Sequence, residues 1–184
     1  MMKTISDVLK PIRRVITDND SSGKSYFIED GPSPAVKEVA QRPGYRVTNI
    51  WRTTQSPVKV NSEDSITQHA GVLPPQNGNV LRIIDYPPEP KDPLEIKRLQ
   101  DITFANLYPD AGHDLQPGDH PGMHITKTVD YAIVLAGEIT AILETSETIL
   151  RAGDVLIQRG TNHAWANRSD YPARIAFILI DGQD

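Results

Sequence analysis

Four of the five histidines, His113, His120, His124 and His163, fall within residues 113–163 of the 184-residue chain. Imidazole is the side chain best suited to moving protons or holding a metal near neutral pH. In the stretch 118–137, GDHPGMHITKTVDYAIVLAG, His124, Thr126, Thr128 and Asp130 occupy successive even positions. Side chains on a strand alternate between faces, so these four share one face. A polar row leading into an apolar strand predicts an interior that is partly wet, with the parity weakened if the strand bends near Thr128 or Asp130. In a second block, 153–167, GDVLIQRGTNHAWAN, His163 and Trp165 share a face of a short strand. The glycine-containing turn ahead of His163 fixes that strand against its neighbour. Imidazoles and a carboxyl brought into one cavity would share an ion or a proton.

The elements that must position these residues are short. Fifteen prolines and twelve glycines are spread along the chain and cut it into pieces that favour strands and turns. Residues 12–17, 24–29, 45–51 and 80–85 are rich in β-branched and aromatic side chains and read as strands. Residues 34–42 read as a turn or two of weak helix. The polar stretch 56–79 reads as a long loop laid over the mouth of the fold, and YPPEPKDP, after residue 85, as a linker or rigid surface loop. Beyond Gly118, short apolar runs at 131–136, 139–144, 147–150, 155–159, 163–165 and 173–180 alternate with turn signals, as in an antiparallel barrel or sandwich.

Composition narrows the function classes. There is no cysteine, which excludes disulfides, thiolate ligands and cysteine nucleophiles. A net charge of −5 gives no electrostatic pull toward nucleic acid or anionic lipid. No apolar run has the length of a membrane span, and the N-terminus lacks the pattern of a signal peptide, so a cytoplasmic protein is expected.

The two histidine blocks together resemble the paired motifs of the cupin superfamily. His124 stands at the first histidine of the first motif, Asp130 at its glutamate and Gly137 at its closing glycine. Gly153, Gly160, His163 and Asn167 match the second motif. Three positions depart from the pattern: Thr126 replaces the second histidine, Asp130 shortens the glutamate, and Gln158 stands where a turn proline is usual. The resemblance implies an all-β, double-stranded β-helix (an antiparallel barrel or jelly roll) across 1–184. Residues 110–180 would form the barrel core, and residues 1–90 would complete the barrel or a dimer interface.

It also implies a two-histidine, one-carboxylate metal set of His124, Asp130 and His163, open to iron, manganese, nickel or zinc, with no organic cofactor. His120 would add a ligand or a proton shuttle, making His124, His163 and His120 the catalytic group. Arg82 is the better candidate to grip a substrate carboxylate, because a guanidinium matches that geometry with two parallel bonds. Trp165, Tyr131 and Thr126 would complete the substrate pocket, Trp51 would border it, and His69 reads as a surface histidine. The activity expected is a metal-dependent lyase or isomerase, a decarboxylase or dehydratase, acting on a small organic acid or polyketide-like compound. The alternatives are a non-haem metal dioxygenase, a metal-free histidine acid–base dehydratase or epimerase, and a non-catalytic binding barrel. The expected partners are a small-molecule substrate and a second copy in a homodimer, with neither nucleic acid nor membrane.

Overall fold

The computed structural model of the chain describes residues 9–183. Strands β1 (Arg13–Asn19) and β2 (Ser25–Pro32) form an antiparallel hairpin of their own. The Asp20 carboxylate organises its turn by accepting from the backbone N–H groups of Ser22 and Lys24. The other strands build two antiparallel sheets. The larger runs in spatial order β3 (Ala35–Glu38), β4 (Arg46–Thr53), β5 (Asn79–Tyr86), β11 (Ala173–Asp181), β6 (Thr128–Ala136) and β9 (Val155–Arg159). The smaller runs β10 (His163–Ala166), β7 (Glu138–Leu143) and β8 (Glu147–Arg151).

The inner faces of the two sheets pack on one another through Ile139, Ala141 and Trp165 on one side and Val134, Ile175 and Phe177 on the other. This is a mostly β jelly roll rather than an all-β one, and among the described residues no sheet closes into the expected barrel. The join at the site is a single pair of backbone bonds between His124 and His163, outside the named ladders.

Two stretches differ from expectation. Residues 35–38 are an edge strand, not helix, because Ala35 and Lys37 turn inward in strict alternation while the segment pairs with β4. A 15-residue helix, α1 (Pro93–Leu107), occupies a stretch to which no element was assigned. Its start signals are present in the sequence: Asp92 accepts from the Leu94 N–H as N-cap, Pro93 opens the first turn, and Glu95 follows. The helix buries Gln100, Thr103, Phe104 and Leu107, and through Phe104 it forms part of the cavity wall.

The centre of the large sheet is held by one carboxylate. Asp85 on β5 is buried and accepts from Arg46 of β4 and from Arg174 of β11, its register partners on either side, at 2.5–3.0 Å. Removing one partner of a buried ion network leaves uncompensated charge, which costs more than the network contributes when intact. Asp85→Ala should therefore lower the unfolding free energy by about 3 kcal/mol in denaturant titration. A loss below about 1 kcal/mol, the range of an exposed pair, would show that the sheet does not depend on it.

Candidate functional site

His124 and His163 lie 39 positions apart in sequence and meet through the backbone. The N–H of each donates to the carbonyl of the other at 2.9 Å, which brings the ring centroids to 4.3 Å. Each ring is then fixed by a main-chain carbonyl two residues upstream. His124 Nδ1–H donates to Gly122 O and His163 Nδ1–H to Thr161 O, both at 2.9 Å. With Nδ1 carrying the proton, both Nε2 atoms keep a lone pair, and neither bonds any other described residue. Burial, reinforced by the neighbouring His163 and His113 rings, pushes the His124 pKa down to about 3. Burial pushes His163 down to about 4. Both rings are neutral at physiological pH.

Gln158 accounts for one departure from the motif. Standing where a proline is usual, it donates through Nε2 to the Thr161 carbonyl at 3.0 Å and contacts the Thr161 hydroxyl. It thus steadies the same carbonyl that orients His163. Asn167, buried at the motif's end, ties β10 to the end of β5 by donating to Tyr86 O and Tyr171 O, a structural duty.

The predicted strand parity holds. Thr126, Thr128 and Asp130 are buried, while Lys127, Val129 and Tyr131 face outward. Thr126, in the place of a histidine, shares a 2.8 Å hydroxyl–hydroxyl bond with Thr128. Asp130 is 4% exposed, and its Oδ1 has no partner among the described residues. Burial pushes its pKa up to about 6, against the opposing pull of the Thr128 hydroxyl and the Arg82 charge.

His124, His163, Thr126, Asp130, Arg82 and Trp165 all line one cavity of about 60 Å³. Aromatic rings from Phe104, Trp165 and Phe177 form part of its wall.

Several expected residues are placed elsewhere. His120 does not line the cavity; its Nδ1 accepts from Gly122 N–H and its Nε2 lies 3.2 Å from Glu89. Tyr131 is 41% exposed on the outer face of β6, because an odd position on that strand points away from Asp130. Trp51 borders a separate groove beside the β1–β2 hairpin. His69 is buried, not on the surface: its Nε2 accepts from Arg82 Nη2 at 2.7 Å, and burial together with that guanidinium pushes its pKa down to about 4.

Arg82 itself is fully committed at its tips, donating also to Val72 O at 2.9 Å, so its Nη groups brace the 69–72 loop. Sequence reasoning missed Arg42, Gln100, Phe104 and Tyr108 in the cavity wall. The capping signal at Asp92-Pro93 would have found the helix that carries two of them.

A three-donor metal site does not fit the residues as they stand. Two imidazoles with Nδ1 bonded to carbonyls and Nε2 open have the donor chemistry of metal ligands. Yet among the described residues no three of His, Asp and Glu come together as a metal-binding group. The expected set of His124, Asp130 and His163 shares the cavity without closing around one point.

Two facing antiparallel sheets with an imidazole pair, a lone carboxyl and aromatic walls between them define a jelly-roll fold with an interior cavity. Residues 113–180 match the Cupin domain family. Phomopsin biosynthesis cluster protein C' of Diaporthe leptostromiformis is 32% identical over 97% of this chain and 82% of its own length. The cupin-domain-containing oxidoreductase fogC of Aspergillus ruber is 27% identical over 96% of this chain and 75% of its own. Among solved structures, an RmlC-like cupin family protein from Methanocaldococcus jannaschii aligns at 11% identity with a TM-score of 0.37, over 56% of this chain and 70% of that one. This chain belongs to the cupin superfamily. Among the described residues no helix is long and apolar enough to cross a membrane.

The shifted groups act on stability in opposite directions. Asp130, raised from 3.8, favours the fold most below that value, and the benefit is lost as pH rises through about 6. His124 and His163, lowered from 6.5, favour the fold above that value and lose the benefit as pH falls toward 4. Asp130→Asn removes only the first effect. The variant should be more stable than wild type by roughly 1–3 kcal/mol at pH about 8, with the gain gone near pH 4. An equal gain at both pH values in denaturant titrations would contradict the buried carboxyl.

Proposed function

We propose that the chain is an enzyme that moves a proton within a small hydroxylated carbonyl compound, in the isomerase or lyase class. The observation that carries this reading is the Asp130 Oδ1, buried and unpartnered among the described residues, in the same cavity as two imidazoles whose Nε2 lone pairs are open. A carboxyl with a pKa near 6 changes protonation state readily at neutral pH, which suits general acid–base work. As the carboxylate it takes a proton from a carbon beside a carbonyl; as the acid it returns that proton to a neighbouring atom.

The histidines have a different part. Their Nδ1–H groups are occupied by main-chain carbonyls and the rings are neutral, so at Nε2 they only accept. They hold a substrate hydroxyl in place rather than supply a proton. Thr126 borders the same space, and the Phe104, Trp165 and Phe177 rings suit a flat body. A homodimer remains part of the reading, supported by the exposure of Phe27 and Ile28 on β2.

A second reading, a metal-dependent oxidoreductase, draws support from the name of the Aspergillus ruber relative and from the carbonyl-oriented imidazole pair. The two readings part in a single assay. Incubated in D₂O with small cyclic hydroxyketones and followed by NMR, the wild-type protein should speed hydrogen exchange at the carbon beside the carbonyl. Chelator should not affect this, and Asp130→Asn should slow it by about 10²–10⁴-fold. Exchange that stops with chelator and returns with one added divalent metal would overturn the proton-transfer reading in favour of the metal one. Undiminished exchange in Asp130→Asn would remove Asp130 from it.

A further inference from the structure

The cavity carries more positive charge than its function as described requires. Five of its lining residues are Arg42, Arg82, His124, His163 and Asp130. Two guanidinium charges and one carboxyl therefore line it, inside a chain whose net charge is −5. Arg42 is 6% exposed and Arg82 is 1% exposed, and neither makes an ion pair among the described residues. Buried arginines elsewhere in the fold are paired: Arg14 holds Glu29 and Asp64. A buried charge left without a counter-ion is costly unless something else supplies one.

The two guanidiniums are not equivalent. The Nη groups of Arg82 are spent on His69 Nε2 and the Val72 and Gly71 carbonyls, leaving only Nε unpartnered. Arg42 is anchored by one tip alone. Its Nη1 donates to Gln100 Oε1 at 3.1 Å and to Thr103 Oγ1 at 3.0 Å, and its guanidinium lies 4.2 Å from the Tyr45 ring centroid. Nε and Nη2 bond nothing among the described residues. Those two adjacent N–H groups form the fork that meets a carboxylate with two parallel bonds.

The fork is linked to the imidazole pair through a short path. The amide of Gln100 packs so closely on Gly122 that a Cβ there would lie 3.2 Å from Nε2. The carbonyl of Gly122 in turn orients His124.

We infer that the substrate is a carboxylate anion, anchored by the free edge of Arg42, with the buried charge of Arg82 adding to the attraction. This deepens the proton-transfer reading and rests on it for the chemistry, while the anchor itself is testable without turnover. The aromatic wall and the fork together suit an aryl or cyclic carboxylic acid. Anchoring in this way would also explain why Arg42 is held rigidly at one tip by α1: a pre-positioned guanidinium loses little freedom on binding.

The probe is benzoate, with neutral benzamide as its near-isostere, titrated into the full chain by calorimetry and by ¹H–¹⁵N NMR of the arginine Nε–H signals. Benzoate should bind at least 10-fold more tightly than benzamide, and the Arg42 Nε–H signal should shift with benzoate alone. Arg42→Gln should weaken benzoate at least 10-fold and Arg42→Lys by less. Asp130→Asn should bind benzoate at least as well as wild type, so failure of the anchor and failure of the proton-transfer reading are separable. If Arg42→Gln does not fold, the wild-type preference and the Arg42 signal decide the matter. Equal binding of the two probes, no binding of benzoate, or a benzoate response at Arg82 with none at Arg42 would each overturn the proposal.

Discussion

Everything at the site depends on two backbone hydrogen bonds, those exchanged between His124 and His163. They do for the cavity what a ladder does for a sheet, but as an isolated bridge between a loop residue and the first residue of β10. Once made, they set the distance between the rings. The upstream carbonyls of Gly122 and Thr161 then set their orientation and tautomer. The bridge thus sets the distance and the two carbonyls the direction and tautomer. Gln158, α1 and the tight packing of Gln100 on Gly122 all brace the two carbonyls or the loops that bear them.

The burial that makes this arrangement works in both directions on charge. Low dielectric drives each titratable group toward its neutral form, so it lowers the imidazoles and raises Asp130. A site that began as a set of ionisable residues becomes one of neutral acceptors and an acid that titrates near pH 6. The arginines cannot follow, since a guanidinium does not give up its proton in a protein. Their charge is what an incoming anion meets.

Much of this was legible in the sequence because strands have a period of two. The even-position row of Thr126, Thr128 and Asp130 lies inward as alternation demands, and His163 and Trp165 share a face, with ring centroids 5.9 Å apart. The two histidine blocks found each other because their motif spacing carries a topology. What escaped notice obeys no such period. Arg42 sits in a turn, and His69 reaches the interior from a segment whose composition is that of a surface. His120 lies 3.2 Å from Glu89, a neighbour thirty-one positions upstream that no local pattern announces. The helix was a different kind of omission: its cap was visible in Asp92-Pro93, but proline-rich surroundings masked it.

The central physical claim is that both imidazoles are neutral, with the proton on Nδ1 and a free lone pair on Nε2. Imidazole ¹⁵N NMR of uniformly labelled protein, assigned with His124→Gln and His163→Gln, reads this directly. At pH about 5.5, where an unperturbed histidine is mostly charged, both residues should show one protonated Nδ1 and one unprotonated Nε2. Two protonated nitrogens in either ring, or the proton on Nε2, would contradict the account.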